Sequence, residues 1–351
     1  MSLRPIYGHE AMLHRLAGAL ASSRFPQAAL FVGPPGVGKQ RLALWVAQGL
    51  LCESGPGAPC GECRSCHQVL DLQHPDLHWF VPITRPKAGD PDKQVAEAEE
   101  LLGEAMAGRR SDPLYRRPEG MVSHSLACIR LLQRKVSVTP FQGHKKVFLV
   151  GDADRMIVQR ASQEAANALL KVLEEPPEDT VLILTTSEPH ALLPTIRSRL
   201  VPTRVGRVGD SVVRAFLERE LDPPPEGAAL ESRVLLAEGS IGRALWSSEE
   251  GDAAGRAADA LLDAVRKGPG SWSRVALAQT PWSARGDFSH TLDALAVRLR
   301  DGLVERAEAG GELRGWLEAL ERVEETRAEA QGNVNPQLAL AVLAGDLERL
   351  L

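Results

Sequence analysis

Ala28-Ala-Leu-Phe-Val-Gly33-Pro-Pro-Gly36-Val-Gly38-Lys39-Gln40 is the stretch on which the fold turns. Five apolar residues, 28–32, suit a buried parallel strand. A glycine-rich loop ends in lysine, and Arg41 to Leu50 carries apolar residues at helical spacing. Strand, glycine loop and helix in that order predict a phosphate-binding loop. Its backbone N–H groups and the helix N-terminus favour an anion, and Lys39 adds a point charge. Gly33, Gly36, Gly38, Lys39 and Gln40 are therefore the candidate phosphate-site residues. The pattern wants Ser or Thr after the lysine, as a hydroxyl ligand for magnesium. Gln40 stands there instead.

A second apolar run, Lys145-Lys-Val-Phe-Leu-Val-Gly151-Asp152-Ala-Asp154, reads as a buried strand ending in an acidic turn. A working site of this kind needs an adjacent acid pair at the strand end, one for the metal and one to activate water. In one register Gly151 holds the metal position, with Asp152 beside it. Shifted by one residue, Asp152 holds it and Ala153 falls where the base belongs. Neither register gives the pair. Phosphoryl transfer depends on positioned charge, so nucleotide binding is open and hydrolysis by this chain is not expected.

Behind the loop helix lie Cys52, Cys60, Cys63 and Cys66, spaced C-x7-C-x2-C-x2-C among Gly55, Pro56, Gly57, Pro59 and Gly61. Four thiolates at this spacing can close a tetrahedral shell around zinc with no open position, which makes a structural site. The competing readings are free structural cysteines or two disulfides, and disulfides need an oxidising compartment. His67 and His74 are substitute ligands. Cys128 reads as a small buried hydrophobe.

Further stretches carry a family resemblance. Ala165-Ala-Asn-Ala-Leu-Leu-Lys-Val-Leu-Glu174-Glu175-Pro-Pro177, Thr195-Ile-Arg-Ser-Arg199-Leu200, His74-Pro-Asp76 and Gly239-Ser-Ile-Gly-Arg243-Ala-Leu245 join the loop and the cysteine insert. Together they resemble the AAA+ clamp loaders of bacterial DNA polymerase III, and among these the delta prime subunits. The resemblance covers roughly residues 4–83 and 121–247. It implies an α/β AAA+ P-loop domain with a zinc-binding insert, then a small helical lid domain and an all-α C-terminal collar domain. It also implies a cytoplasmic bacterial protein that loads a sliding clamp on primed DNA beside a motor subunit (gamma/tau) and a delta subunit.

The family holds both motor subunits and a non-hydrolysing, stator-like relative. Gln40, Gly151 and a length of 351 residues favour the second, motor subunits being usually longer. An active gamma/tau-like ATPase is the alternative. Leu200 stands where the family's Ser-Arg-Cys motif has cysteine. The arginine of that motif, here Arg199, is the expected arginine finger, reaching in trans to ATP on the neighbouring motor subunit. Arg197 lies two residues away. Ser187 falls near the first sensor position. At the second sensor Gly242 occupies the usual arginine position and Arg243 follows, which weakens any sensor contact. Glu174 and Glu175 end a helix where acids oppose the macrodipole, so they are either solvated or matched by cations.

Net charge is −5 and no apolar run is long enough for a bilayer, so neither a DNA-coating basic protein nor a membrane span is expected. No cleavable signal is expected. A zinc-dependent nucleic-acid module is a third reading, weakened by a knuckle whose only cation is Arg64 and which has no aromatic for stacking. The expected domains are 1–205 (knuckle 52–66, a Pro-, Gly- and charge-rich insert at 85–120 expected to be partly disordered, with a short helix at 95–107), 206–247 and 248–351. In the last, Leu292, Leu295, Leu299 and Leu303 mark a helical face.

Overall fold

The computed structural model describes residues 5–112, 122–156, 163–245, 248–278, 285–330 and 334–351. It divides into two compact units, Met1–Leu245 and Trp246–Leu351.

The first unit is built on five parallel strands. They are β1 (Ala28–Val32), β2 (Leu77–Phe80), β5 (Lys146–Val150), β6 (Thr180–Thr186) and β7 (Val201–Arg204), in the order β2-β5-β6-β1-β7. A two-stranded antiparallel pair, β3 (Ile83–Thr84) and β4 (Val122–Ser123), stands apart. The register sets Phe31 beside Thr185 and Leu149 beside Ile183. β5 and β6 are buried along their whole length, as strands covered on both faces must be. β7 is mostly exposed and carries Pro202, which an edge strand tolerates.

The helices of this unit are α1 (Glu10–Ala21), α2 (Lys39–Leu51), α3 (Arg64–Leu70), α4 (Pro91–Ser111), α5 (Leu126–Val136), α6 (Glu164–Glu174), α7 (Pro194–Arg197), α8 (Asp210–Glu220), α9 (Gly227–Ala237) and α10 (Ile241–Ala244). α2 packs along β1, β5 and β6, and α4, α5 and α6 pack in a row. Within the segment 85–120 the helix is longer than the 95–107 expected from sequence. Asp90 caps it by accepting from the N–H groups of Asp92 and Lys93, and Pro91 fits its first turn. Val95, Ala98 and Leu102 bury one side of it. Residues 113–121 lie outside the described residues.

α8, α9 and α10 close on a small core of Val213, Phe216, Leu217, Leu230, Val234, Ala237 and Ala244. The regular elements among the described residues of the second unit are all helices: α11 (Ser248–Arg266), α12 (Pro269–Ala278), α13 (Arg285–Glu308), α14 (Arg314–Ala330) and α15 (Pro336–Leu350). Leu292, Leu295 and Leu299 of α13 are completely buried against Leu261, Val323, Leu343 and Leu347.

Candidate functional site

The glycine loop follows β1, and Gly38 (φ 97°) starts α2 in a left-handed conformation. Lys39 is buried. Its ammonium donates to the carbonyls of Gly33 and Pro34, each at 2.8 Å, and to Ser187 Oγ at 2.9 Å. The structure thus brings Ser187, just past β6, to the loop lysine from 148 positions along the chain.

The next position is where the loop departs from a magnesium site. Gln40 Nε2 donates to Asp152 Oδ2 at 3.2 Å. A Cβ on Gly151 would stand 2.9 Å from each of Gln40 Cδ, Nε2 and Oε1. The glutamine amide therefore fills the space that a side chain at 151 needs. Arg109, buried near the end of α4, donates to Gln40 Oε1 at 3.3 Å and lies 4.2 Å over the Trp79 ring. Asp154 is buried and accepts from Thr186 Oγ1 at 2.6 Å, so it serves the core rather than the cleft. Buried His124 pairs with the Gly151 carbonyl at 2.7 Å, and burial holds its pKa below the ordinary histidine value. Magnesium is a hard cation and needs oxygen ligands. An amide already engaged, a glycine and a neighbouring guanidinium do not fit magnesium.

The loop apex meets the helical segment at 239–245. Gly242 N–H donates to the Gly36 carbonyl at 2.9 Å, and Ser240 Oγ donates to the Pro35 carbonyl at 2.9 Å. A Cβ on Gly242 would lie 2.5 Å from Gly36 Cα, so the two backbones touch with no room for a side chain. Arg243 points elsewhere, with Nη1 2.7 Å from Glu238 Oε2.

Arg199 follows α7. Its Nη2 lies 2.8 Å from Glu174 Oε1, and its Nη1 donates to the Thr195 carbonyl at 2.9 Å. Of the two alternatives for the acid at the end of α6, Glu174 takes the paired one. Arg197 turns toward His190, 3.4 Å away.

The cysteine insert forms a candidate metal centre. The sulfurs of Cys52, Cys60, Cys63 and Cys66 lie within 4.8 Å of one another. Cys52–Cys60 is 3.5 Å, and Cys52–Cys63 and Cys60–Cys66 are 3.9 Å each. Four ligands about 2.3 Å from one ion at tetrahedral angles stand about 3.8 Å apart, so the set fits a single ion. None of the four is joined in a disulfide. Backbone N–H groups of Cys63 and Cys66 point at the sulfurs of Cys60 and Cys63, each at 3.4 Å, as knuckle turns require. Amide donors at Glu62 and Cys63 bring the Cys60 thiol down to about 6, while burial pushes Cys66 up. Neither His67 nor His74 is among the clustered ligands, and His74 Nδ1 accepts from Asp76 N–H at 3.1 Å. Cys128 is completely buried, as read from sequence.

Sequence reasoning missed Arg109. Its partners Trp79 and Gln40 lie 30 and 69 positions away, and the segment around it reads as surface charge.

Fold and loop together define a P-loop α/β protein. The family model described as DNA polymerase III, delta subunit, matches residues 8–208, and the chain belongs to that family. Its relatives include the delta prime subunit of Bacillus subtilis, 33% identical over 184 residues (52% of this chain, 43% of that protein). The delta prime subunit of Pseudomonas aeruginosa is 34% identical over 234 residues, covering 66% of this chain and 57% of that protein. The tau subunit of Escherichia coli is 30% identical over 254 residues, 71% of this chain and 33% of that protein. The matched region thus spans between 33% and 57% of these relatives' length. Within the family the chain is delta prime-like. Among the described residues no helix is long and apolar enough to cross a membrane.

Proposed function

We propose that the chain is a non-hydrolysing, stator-like subunit of the DNA polymerase III clamp loader. It supports ATP-dependent loading of the sliding clamp onto primed DNA and supplies Arg199 in trans to a neighbouring gamma/tau motor subunit. The observation that carries this reading is the Gln40 amide packed 2.9 Å from where a Cβ on Gly151 would stand, so that position 40 offers no hydroxyl and position 151 no carboxylate for a metal. The Gly36–Gly242 contact supports it, because the second sensor position can hold no arginine in this conformation.

Lys39 and the loop N–H groups are what would hold a nucleotide phosphate. With no metal ligand set, no cis catalytic step is assigned to them. The four-cysteine centre would hold one structural zinc and fasten the knuckle to α2, where Gln48 Nε2 reaches the Cys66 carbonyl at 3.3 Å. The 206–247 helices would act as the lid and the second unit as the collar, joining the motor and delta subunits. As part of this assembly it would work in the bacterial cytoplasm.

Arg199 suits the trans role chemically. A guanidinium keeps its charge and matches phosphate oxygens with a planar fork. At 35% side-chain exposure it is accessible, and its salt bridge to half-exposed Glu174 is of a kind that costs little to exchange.

The active motor is the second reading, favoured by the intact loop lysine and by the tau relative's match over 71% of this chain. Steady-state ATP turnover by the isolated chain with magnesium separates the two. The stator reading expects none above buffer. Turnover abolished by Lys39→Ala would establish the motor instead.

A further inference from the structure

Gln40, Gly151 and Arg109 form one fitted arrangement. Gly151 leaves a space, Gln40 fills it with all three amide-end atoms 2.9 Å from the absent Cβ, and Arg109 donates to the amide oxygen at 3.3 Å. Asp152 holds the amide nitrogen from the other side at 3.2 Å. Arg109 is 2% exposed. Its charge cannot be shed by deprotonation, and the Trp79 face 4.2 Å away compensates part of its burial. A fixed positive charge thus stands one side chain from the position where a phosphate loop recruits a divalent ion.

We infer that Arg109 stands in for the divalent cation and bars it from this site, so that restoring the two missing ligands alone would not restore metal binding. This rests on the non-hydrolysing reading and names what enforces it. An aspartate placed at 151 would find the guanidinium already beside it. A bidentate pair between them would consume the new carboxylate. The insert helix α4 therefore acts as a built-in plug, rather than the site being merely short of ligands.

The test repairs the site with and without the plug. The variant Gln40→Thr/Gly151→Asp regains both ligand types. The same pair with Arg109→Leu also loses the cation, and Arg109→Met, with an unbranched stem over Trp79, provides a second version should the leucine variant not fold. A Lys substitution at 109 retains a cation. The probe is a fluorescent N-methylanthraniloyl ATP, titrated in magnesium chloride and in EDTA. The double variant should bind it equally in both, within twofold. The Leu or Met triple variant should bind at least tenfold tighter with magnesium, and the Lys version should behave like the double. A tenfold magnesium gain already in the double variant, or none in a folded triple variant, overturns the inference. On the unmodified chain, electron paramagnetic resonance of Mn2+ with ATP should show no protein-bound ion, and a bound signal would overturn it without any variant. Wild-type turnover of ATP would instead sink the non-hydrolysing reading, so the two failures are distinguishable.

Discussion

Replacing Gly242 by alanine should destabilise the first unit by an amount that the contact itself sets. The new Cβ would lie 2.5 Å from Gly36 Cα and 3.2 Å from the Gly36 carbonyl oxygen. Backbone cannot give way as a side-chain tip can, so the two segments must separate. Separation breaks Gly242 N–H to Gly36 O and Ser240 Oγ to Pro35 O, both 2.9 Å. Each bond contributes about 1 kcal/mol net, and forcing extra volume into a packed contact costs about 1–3 kcal/mol. A total of about 3–5 kcal/mol lowers the melting temperature by roughly 6–20 °C, given about 2–4 °C per kcal/mol for domains of 150–250 residues. Differential scanning calorimetry on the full chain reads this directly. Gly103→Ala is the matched control, because an added Cβ there meets no atom within 4 Å in the middle of α4. That change should stabilise by about 0.5–1 kcal/mol. A Gly242→Ala midpoint within 1 °C of wild type would mean that the loop and the 239–245 segment are not in contact in solution.

Three other outcomes are expected. Metal analysis of the purified chain should give one zinc per molecule held by Cys52, Cys60, Cys63 and Cys66; no zinc together with four freely reactive thiols would refute the metal centre. Lys39→Ala should leave the ATPase rate of the reconstituted complex within about twofold of wild type, because the proposed non-hydrolysing role routes no cis chemistry through this loop, and a collapse of the rate would contradict that. Stability should fall as pH drops from neutrality. Burial holds His78 down to about 4, against Phe148 with ring centroids 4.8 Å apart, and lowers His124 and His74 as well. Each is neutral in both states above about 6.5. Below that the unfolded chain takes up protons that the folded chain refuses, so stability is lost from about 6.5 downward, for His78 until about 4. Guanidinium melts at pH 7 and pH 5 measure this. His78→Phe should flatten the dependence, and an unchanged slope would exclude His78 as a source.

The strands around the phosphate loop were legible because buried parallel strands are apolar along their whole length. Residues 28–32, 147–150 and 181–185 announce themselves, and the structure extends the last two to 146–150 and 180–186. β2, Leu77-His-Trp-Phe80, escaped because His78 breaks the run. β7 escaped as an exposed edge containing Pro202. The clustering of the four cysteines was legible because they are close in sequence. The Gln40–Gly151–Arg109 arrangement was only half legible. Two of its members show as departures from a pattern, whereas the third acquires meaning only when α4 folds back onto Trp79. Likewise Gly242 reads as a displaced motif until its backbone is seen against Gly36, 206 positions earlier. Glu174 shows the reverse. An acid at a helix C-terminus left solvation or a cationic partner open, and Arg199 supplies the partner.

The trans role of Arg199 is tested most directly by single-turnover ATP hydrolysis in a reconstituted complex in which only the motor site facing this chain is active. Trans arginines in phosphoryl-transfer enzymes contribute on the order of 10³–10⁵ in rate. Arg199→Ala should therefore assemble normally and slow that turnover by at least tenfold. Arg199→Lys should rescue poorly for want of the planar fork, and Arg197→Ala should match wild type. A wild-type rate for Arg199→Ala at the facing site would show that Arg199 is not the finger.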